Sequence, residues 1–302
     1  MNELSIAAFA TSILALFGIA LPAYTPAISK HPPESERPQI ITSLDESFTI
    51  KSALVFNIAN GERAIDVDST NVLPIASLTK IMTGLLALET FGPDEQILLS
   101  KNAGLTDGDV GHLRQGEWFF VQDLLRAMMM SSSNDAATAL AEEMGERMGG
   151  EIFEDRISLF VEEMNRKARA LGMRDTRFEN PTGLDDISGG PSNYSSANDL
   201  AILIRATKQT PLLWELSRDR EREVYSDRGR EYFLFNLNEI IGSIPNFIGS
   251  KTGSTLLAGD SLVFLFEYPL GTQRAAIILN AASGRRFEEA KRILEMTLNM
   301  IQ

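Results

Sequence analysis

Cysteine is absent from this chain of 302 residues, and histidine occurs only twice. Without cysteine the protein has no disulfide, no thiolate nucleophile and no cysteine-ligated metal. His31 lies in a proline-rich polar stretch, which leaves only His112 in the part of the chain predicted to fold. A metal site built on several histidines is therefore not expected. We interpret His112 as a surface or packing residue, and we expect neither a metal nor another cofactor.

Positive charge is also scarce, because 28 Lys and Arg residues face 41 Asp and Glu residues. The resulting net charge of −13 argues against sequence-independent binding of nucleic acid. Hydrophobic residues make up 44% of the chain and charged residues 23%, which is the composition of an ordinary globular protein. The length fits one large domain or two small ones.

Charged residues are missing from one long segment, residues 4–23, which is apolar and long enough to span a bilayer. We predict that residues 1–27 form a secretory signal peptide or an uncleaved N-terminal membrane anchor, and that residues 28–42 form a linker. No Lys or Arg precedes the segment, which is atypical of a signal peptide, and a buried core helix is the alternative. Residues 43–302 are then predicted to fold outside the cytoplasm, in the periplasm or at the cell surface.

The secondary-structure pattern predicts strands at both ends of this domain and helices in its middle. Residues 47–68 read as two strands joined by a turn at Asn60-Gly61. Helical periodicity dominates from 78 to about 208, and strand-like runs return between 220 and 282. A last amphipathic helix covers about 286–301. We predict an α+β fold, in which an antiparallel sheet built from both chain ends carries flanking helices and a helical insert.

The segment "PIASLTKIMTGLLALE", residues 74–89, begins with a serine and a lysine three positions apart. We predict a helix from 78 to about 90, with Ser77 as its cap and with Lys80 on the same face as Ser77. Lys80 is the only charge between Ser77 and Leu88, so it is expected in the interior, where an amine must be paired or used. A capping serine with a lysine that reaches outward to solvent remains the alternative.

Two further short motifs follow at long intervals. Ser132-Ser133-Asn134 lies in a break between two helical runs, and Lys251-Thr252-Gly253 lies near the end of a predicted strand. Each has a structural explanation of its own, because Ser133 or Asn134 can cap the next helix and a glycine often follows a strand. With His112 as the only candidate histidine, a serine enzyme of this composition is expected to use a lysine as its proton carrier.

Together the three motifs resemble the set S-x-x-K, S-x-N and K-T-G of the serine penicillin-recognising enzymes. More narrowly, the chain resembles the D-alanyl-D-alanine carboxypeptidases, which are low-molecular-mass penicillin-binding proteins of the serine β-lactamase/transpeptidase-like superfamily. The phrases "GEWFFVQDLLRAMMMSSSNDAATALAE", "TRFENPTGLDD", "YSSANDLAIL" and "FIGSKTGST" carry the resemblance, together with the first motif, over about residues 46–282. It implies a β-lactamase/transpeptidase-like fold and makes residues 43–302 the catalytic domain of a serine D,D-peptidase.

The resemblance assigns catalytic roles to Ser77 as nucleophile, to Lys80 as its base if the amine is neutral, and to Ser132 as a proton shuttle to the leaving amine. A neighbouring cation lowers a lysine pKa, and Lys251 is the candidate cation beside Lys80. It also implies a set of substrate-binding residues. Asn134 would bind a peptide group, Lys251 and Thr252 a terminal carboxylate, and Gly253 would allow close approach of the substrate. The backbone N–H groups of Ser77 and Ser254 would form the oxyanion hole.

The implied reaction removes the terminal D-alanine from peptidoglycan pentapeptides through an acyl-enzyme, with β-lactam antibiotics as covalent inhibitors. A D,D-endopeptidase that cuts cross-links is the nearest alternative. A class A-like β-lactamase ranks lower, because no Glu-x-x-Leu-Asn pattern follows Asn134 and the Ser-Asp-Asn form is missing. A catalytically inactive wall-binding module is disfavoured by the intact motifs. We interpret Asn180–Gly183 as a structural turn that shapes the cleft.

Overall fold

The computed structural model of the chain describes residues 39–108, 112–186, 188–190 and 193–301. The predicted signal or anchor, residues 1–27, and most of the predicted linker lie outside the described residues. Within the described ranges, no helix is both long enough and apolar enough to cross a bilayer. The predicted domain boundary at residue 43 stays a prediction, although Ile41 already forms a parallel bridge with Ile65.

Eleven strands and seven α-helices make up the described part of the chain. The strands are β1 (Ser52–Asn57), β2 (Arg63–Val67), β3 (Leu73–Pro74), β4 (Gln96–Leu98), β5 (Trp118–Phe120), β6 (Tyr194–Ser195), β7 (Glu221–Tyr225), β8 (Glu231–Phe235), β9 (Phe247–Thr255), β10 (Gly259–Glu267) and β11 (Gln273–Ala281). The helices are α1 (Lys80–Thr90), α2 (Val121–Met130), α3 (Asn134–Arg147), α4 (Phe153–Leu171), α5 (Ala197–Ala206), α6 (Leu212–Glu215) and α7 (Arg286–Ile301).

The main sheet has five antiparallel strands in the order β2-β1-β11-β10-β9. Strand β1, near the start of the domain, pairs along its whole length with β11, near the end, from Ser52 opposite Leu279 to Asn57 opposite Arg274. The prediction of an α+β fold with a sheet built from both chain ends is therefore confirmed.

Both faces of this sheet are buried, because helices cover each of them. Leu54 and Phe56 of β1 pack into the core shared with the helical region, whereas Ala53 and Val55 pack into a second core on the other face. Ile293 of α7 belongs to that second core. A strand covered on both sides reads as a continuous apolar run rather than an alternating one, which explains why β1 is apolar from Ala53 to Phe56.

The helical region lies where the periodicity predicts it, and α2 and α7 have the predicted bounds. Met128, Met129 and Met130 at the end of α2 are at most 1% exposed and fill the core. The Ser133 hydroxyl accepts a hydrogen bond from the Ala136 N–H at 3.1 Å, so Ser133 is the cap of α3 that the sequence predicted as one alternative.

The entry into α1 differs from the prediction. Residues Ala76–Thr79 form a 3₁₀ turn, α1 begins only at Lys80, and no side chain caps the helix. The assignment of Ser77 as a helix cap was therefore wrong. The short pairs β3–β6 and β4–β5 and the four-residue α6 escaped prediction because segments of two to four residues carry too little periodicity.

The loop Asn180–Gly183 closes against this 3₁₀ turn. Asn180 Oδ1 accepts hydrogen bonds from the backbone N–H groups of Thr182 at 3.1 Å and Gly183 at 2.7 Å. Gly183 has a φ of +88°, and a Cβ added there would lie 1.9 Å from the Ala76 carbonyl oxygen. Only glycine fits such a backbone conformation with a neighbouring main chain so close.

Replacing Gly183 with alanine is expected to lower the free energy of unfolding by about 2–5 kcal/mol. The left-handed φ costs about 1–2 kcal/mol for alanine, and a clash with fixed backbone adds about 1–3 kcal/mol. Gly172→Ala is the matched control, since Gly172 has a φ of +87° and open space around its Cα. Urea denaturation measures both variants. Equal losses in the two would contradict the packing of the loop against Ala76.

Candidate active site

The amine of Lys80 lies at the centre of the polar cluster formed by the first two motifs. Its Nζ is 2.9 Å from Ser77 Oγ, 2.7 Å from Asn134 Oδ1 and 2.7 Å from the Thr182 carbonyl oxygen. The lysine is fully buried, while Ser77 is partly exposed. The alternative in which Lys80 reaches outward to solvent is wrong. Ser77 and Lys80 share a face because three residues make about one turn here.

The backbone is strained at two points beside this cluster. Ala76, immediately before Ser77, has a φ of +46°, and Ser132 has a φ of +60°. For residues other than glycine the left-handed region costs about 1–2 kcal/mol each. Strain of this kind persists only where the surrounding structure enforces it, and it concentrates at functional sites.

The third motif brings a second buried amine into the site. Lys251 Nζ on β9 donates hydrogen bonds to Ser132 Oγ at 2.9 Å and to the Thr252 carbonyl oxygen at 2.8 Å. Burial lowers the pKa of Lys251 well below its ordinary value, and the positive charges of Lys80 and Arg286 lower that pKa further. The three predicted motifs therefore converge on one site, with two amines close enough to repel each other's charge.

The side-chain amide of Asn134 is fully engaged in this structure. Its Oδ1 accepts from Lys80, and its Nδ2 donates to the carbonyl oxygens of Asp107 at 2.8 Å and Gly108 at 3.1 Å. The amide thus orients the lysine and ties the preceding loop to α3. The contact with a substrate peptide group that the resemblance implies would require one of these bonds to be exchanged.

Strand β9 lies at the edge of the main sheet, beside the turn that carries Ser77. A Cβ added to Gly253 would lie 3.0 Å from the Ile75 carbonyl oxygen and 3.3 Å from the Ser77 nitrogen. The strand and the turn therefore approach each other closely, which is a reason for glycine here apart from any substrate. Thr252 is buried, and Ser254 is exposed with its hydroxyl 2.6 Å from Asp260 Oδ1.

Sequence reasoning missed two contributors to the site. Arg286, the first residue of α7, donates a hydrogen bond to the Gly253 carbonyl oxygen at 3.0 Å and lies 3.6 Å from Asp260 Oδ1. The Thr182 carbonyl, within the loop read as structural, holds the Lys80 amine. A backbone acceptor leaves no signal in residue type, and Arg286 looked like any basic residue of an amphipathic helix.

The arrangement has the parts that acyl transfer needs. A partly exposed hydroxyl lies within hydrogen-bond reach of a buried amine, and a second hydroxyl and a second amine face it from the other two motifs. Strand β9 is the last strand of the main sheet, so the backbone groups on its outer side are not paired with another strand of that sheet and can bind an extended peptide. His112, by contrast, lies at the surface and is not among the hydrogen-bond partners just described.

Comparison with solved structures identifies the class of protein to which this fold belongs. Penicillin-binding protein D2 of Listeria monocytogenes, solved in its ampicillin-bound form, is 30% identical and superposes with a TM-score of 0.69. The match covers 84% of this chain and 99% of that one. The fold is that of the penicillin-binding proteins, as the three motifs led us to expect.

Sequence comparison narrows the class to a family. The D-alanyl-D-alanine carboxypeptidase family matches residues 39–283, and the chain belongs to that family. It is 31% identical over 210 residues to the D-alanyl-D-alanine carboxypeptidase DacF of Bacillus subtilis, and 34% identical over 258 residues to a D-alanyl-D-alanine endopeptidase of Pseudomonas aeruginosa. These alignments cover 68% and 83% of this chain, and they span 51% and 76% of the two relatives.

Arg286→Gln is expected to raise the pKa of Lys251 toward its ordinary value of 10.5, because one of the neighbouring positive charges is removed. The direction is measurable by NMR titration of the labelled lysine Cε and Nζ nuclei in the folded protein. Arg285→Gln is the matched control, since Arg285 neighbours Arg286 on the chain and pairs with Glu288 instead. An unchanged or lower Lys251 pKa in Arg286→Gln would show that Arg286 does not set the charge state of the site.

Proposed function

We propose that the protein is a serine-type D-alanyl-D-alanine carboxypeptidase that removes the terminal D-alanine from peptidoglycan stem peptides. The observation that carries the proposal is the 2.9 Å contact between Ser77 Oγ and the buried Lys80 amine. A serine hydroxyl is a weak nucleophile, and it becomes reactive when a base lies within hydrogen-bond reach. The family of the chain supports the same reaction.

In the first half-reaction Ser77 Oγ attacks the carbonyl carbon of the penultimate D-alanine. In the form of the protein in which the Lys80 amine is uncharged, Lys80 takes the hydroxyl proton as the new C–O bond forms, and the carbonyl oxygen acquires negative charge. We assign its stabilisation to the backbone N–H groups of Ser77 and Ser254, and removal of one such donor costs about 3–4 kcal/mol of barrier. The close approach of Gly253 to the Ser77 turn supports that assignment.

Expulsion of the terminal D-alanine requires a proton on its departing nitrogen. Ser132 is positioned for that transfer, since its hydroxyl is 2.9 Å from Lys251 Nζ. Breaking of the C–N bond leaves an ester between Ser77 and the rest of the peptide. The proton that Lys80 took from Ser77 passes through the Ser132 hydroxyl to the departing nitrogen, so the Lys80 amine is uncharged again. Water then attacks the ester, and Lys80 takes a proton from it. Lys80 returns that proton to Ser77 Oγ as the C–O bond breaks, and the peptide leaves as a carboxylic acid that ionises.

The C-terminal carboxylate of the substrate would dock against Lys251 and Thr252. A carboxylate beside Lys251 favours the charged amine and so opposes the effect of burial on its pKa. Arg286, which lies behind β9, adds to the positive potential of this end of the cleft although the chain as a whole carries a net charge of −13.

Peptidoglycan as substrate places the domain outside the cytoplasm, and residues 1–27 would supply the export signal or membrane anchor. β-Lactams would acylate Ser77 and remain attached as esters, an inference supported by the ampicillin-bound relative. Cleavage of cross-links is the second candidate activity, favoured by the identity to the endopeptidase of Pseudomonas aeruginosa.

The deciding experiment measures D-alanine released by the purified domain from a pentapeptide ending in D-alanyl-D-alanine, alongside cleavage of a cross-linked peptide dimer. Release from the pentapeptide supports the carboxypeptidase, and cleavage of the dimer alone supports the endopeptidase. Inactivity on both substrates, in a protein that also fails to react with a fluorescent penicillin, would favour a wall-binding module.

Labelling by a fluorescent penicillin is expected to disappear in Ser77→Ala and to slow by about 10²–10⁴-fold in Lys80→Met. The first change removes the nucleophile, and the second removes its base while keeping an apolar stem of similar length. Ser158→Ala and Lys291→Met, two exposed helix positions, are the matched controls. Circular dichroism checks that each variant folds. Normal labelling of folded Lys80→Met would refute the role of Lys80.

Thr252→Val is expected to raise KM at least about tenfold for peptides with a free C-terminal carboxylate, because a hydrogen bond to a charged group contributes about 1.5–3 kcal/mol. Peptides amidated at that terminus lack the charge and are expected to lose much less. Steady-state kinetics on the two peptides makes the comparison within one variant. Equal losses on both would mean that Thr252 does not recognise the carboxylate.

A further inference from the structure

The hairpin β7–β8 carries three large aromatic side chains on its solvent side. Along both strands the residues alternate, so that Val224, Tyr232 and Leu234 face inward and are buried. The outward residues include Tyr225, Phe233 and Phe235, which are 49%, 61% and 60% exposed. A single exposed ring is ordinary on a protein surface, but three on one small two-stranded face mark an interaction site.

Each of these rings stands opposite a glutamate on the neighbouring strand. The register pairs Glu221 with Phe235, Glu223 with Phe233, and Tyr225 with Glu231. The Tyr225 hydroxyl lies 3.0 Å from a carboxylate oxygen of both Glu223 and Glu231, which orders the acidic side chains around it. A groove of about 470 Å³ runs along this face and is lined by Glu221, Glu223, Tyr225 and Phe233, together with Arg222.

The hairpin is joined directly to the candidate active site. The Ser131 hydroxyl donates a hydrogen bond to the Phe235 carbonyl oxygen at 3.0 Å, and the Leu237 N–H donates to the Met130 carbonyl oxygen at 3.1 Å. Ser131 precedes Ser132 in the chain, so the last residues of β8 pack beside the second motif. A ligand that contacts the outer face at Phe235 would therefore lie near the second motif.

Aromatic rings paired with carboxylates suit one class of ligand particularly well. The C–H faces of a pyranose ring stack on aromatic rings, and its hydroxyl and acetamido N–H groups donate hydrogen bonds to carboxylate oxygens. Three glutamates on the face, on a chain with a net charge of −13, disfavour anionic polymers and anionic membranes. A neutral sugar chain carries no such penalty.

We propose that the outer face of β7–β8 binds the neutral glycan strand to which the stem peptide of the substrate is attached. This inference rests on the proposed function for the identity of the glycan, but the binding itself does not require catalysis. Binding of the glycan to the hairpin would lower KM for glycan-linked peptides relative to free ones. It would leave kcat unchanged, because the glycan touches no reacting atom.

The kinetic test compares a pentapeptide attached to a tetrasaccharide of peptidoglycan with the same pentapeptide alone. The double variant Phe233→Thr/Phe235→Thr removes both rings and keeps residues that favour strands. It is expected to raise KM about tenfold for the glycan-linked substrate while kcat stays unchanged. The kinetics of the free peptide are expected to stay the same. Leu270→Thr, at another apolar residue that is 83% exposed, is the control and should change neither. Equal effects of the double variant on both substrates would overturn the proposal.

A direct binding test separates this inference from the proposed function. Isothermal titration of Ser77→Ala with the neutral N-acetylglucosamine hexamer is expected to show binding that the added Phe233→Thr/Phe235→Thr changes abolish and Leu270→Thr does not. If Ser77→Ala binds the hexamer but the unmutated protein releases no D-alanine, the glycan site is supported and the proposed reaction is refuted. No binding of the hexamer, or aromatic-dependent binding to anionic phospholipid vesicles instead, would overturn the glycan site.

Discussion

The structure of the site depends on how the protein accommodates one buried amine. Lys80 is fully buried, and an unpaired amine in that position would cost several kcal/mol. The cost is offset by oxygen acceptors from three separate parts of the chain, namely Ser77, Asn134 and the Thr182 carbonyl. The 3₁₀ turn, the start of α3 and the Asn180–Gly183 loop must therefore meet at a single point. Any displacement of one of them leaves a polar group unsatisfied.

Close backbone packing fixes where these segments meet. Gly183 and Gly253 both press against the turn around Ser77, from the loop on one side and from β9 on the other. A side chain at Gly183 would clash with the Ala76 main chain, and a Cβ at Gly253 would force its neighbours to shift by a few tenths of an ångström. The turn is therefore held between two glycines, with its Ala76 in a strained conformation. The serine is thereby presented to the cleft in an orientation that the local sequence alone would not favour.

Positively charged side chains are concentrated in the cleft, although the chain as a whole has a net charge of −13. Two buried amines and Arg286 lie together, and burial with mutual repulsion lowers the pKa of Lys251. A lysine that gives up its proton more easily suits proton transfer, whereas an arriving carboxylate favours the charged form again. In the proposed mechanism one arrangement of charge serves both substrate binding and proton movement, and Arg286 of α7 contributes to it.

The sequence by itself determined the order of the longer strands and helices, because α2 has helical periodicity and β1 is a continuous apolar run that has to be buried. It also singled out three motifs that lie together in the folded protein, since serine, lysine and asparagine at those spacings are uncommon together. Only the tertiary structure decided that Ser77 lies in a 3₁₀ turn and that Arg286 stands behind β9. Such contacts join residues far apart in the chain or use backbone atoms, and neither leaves a mark in local residue type.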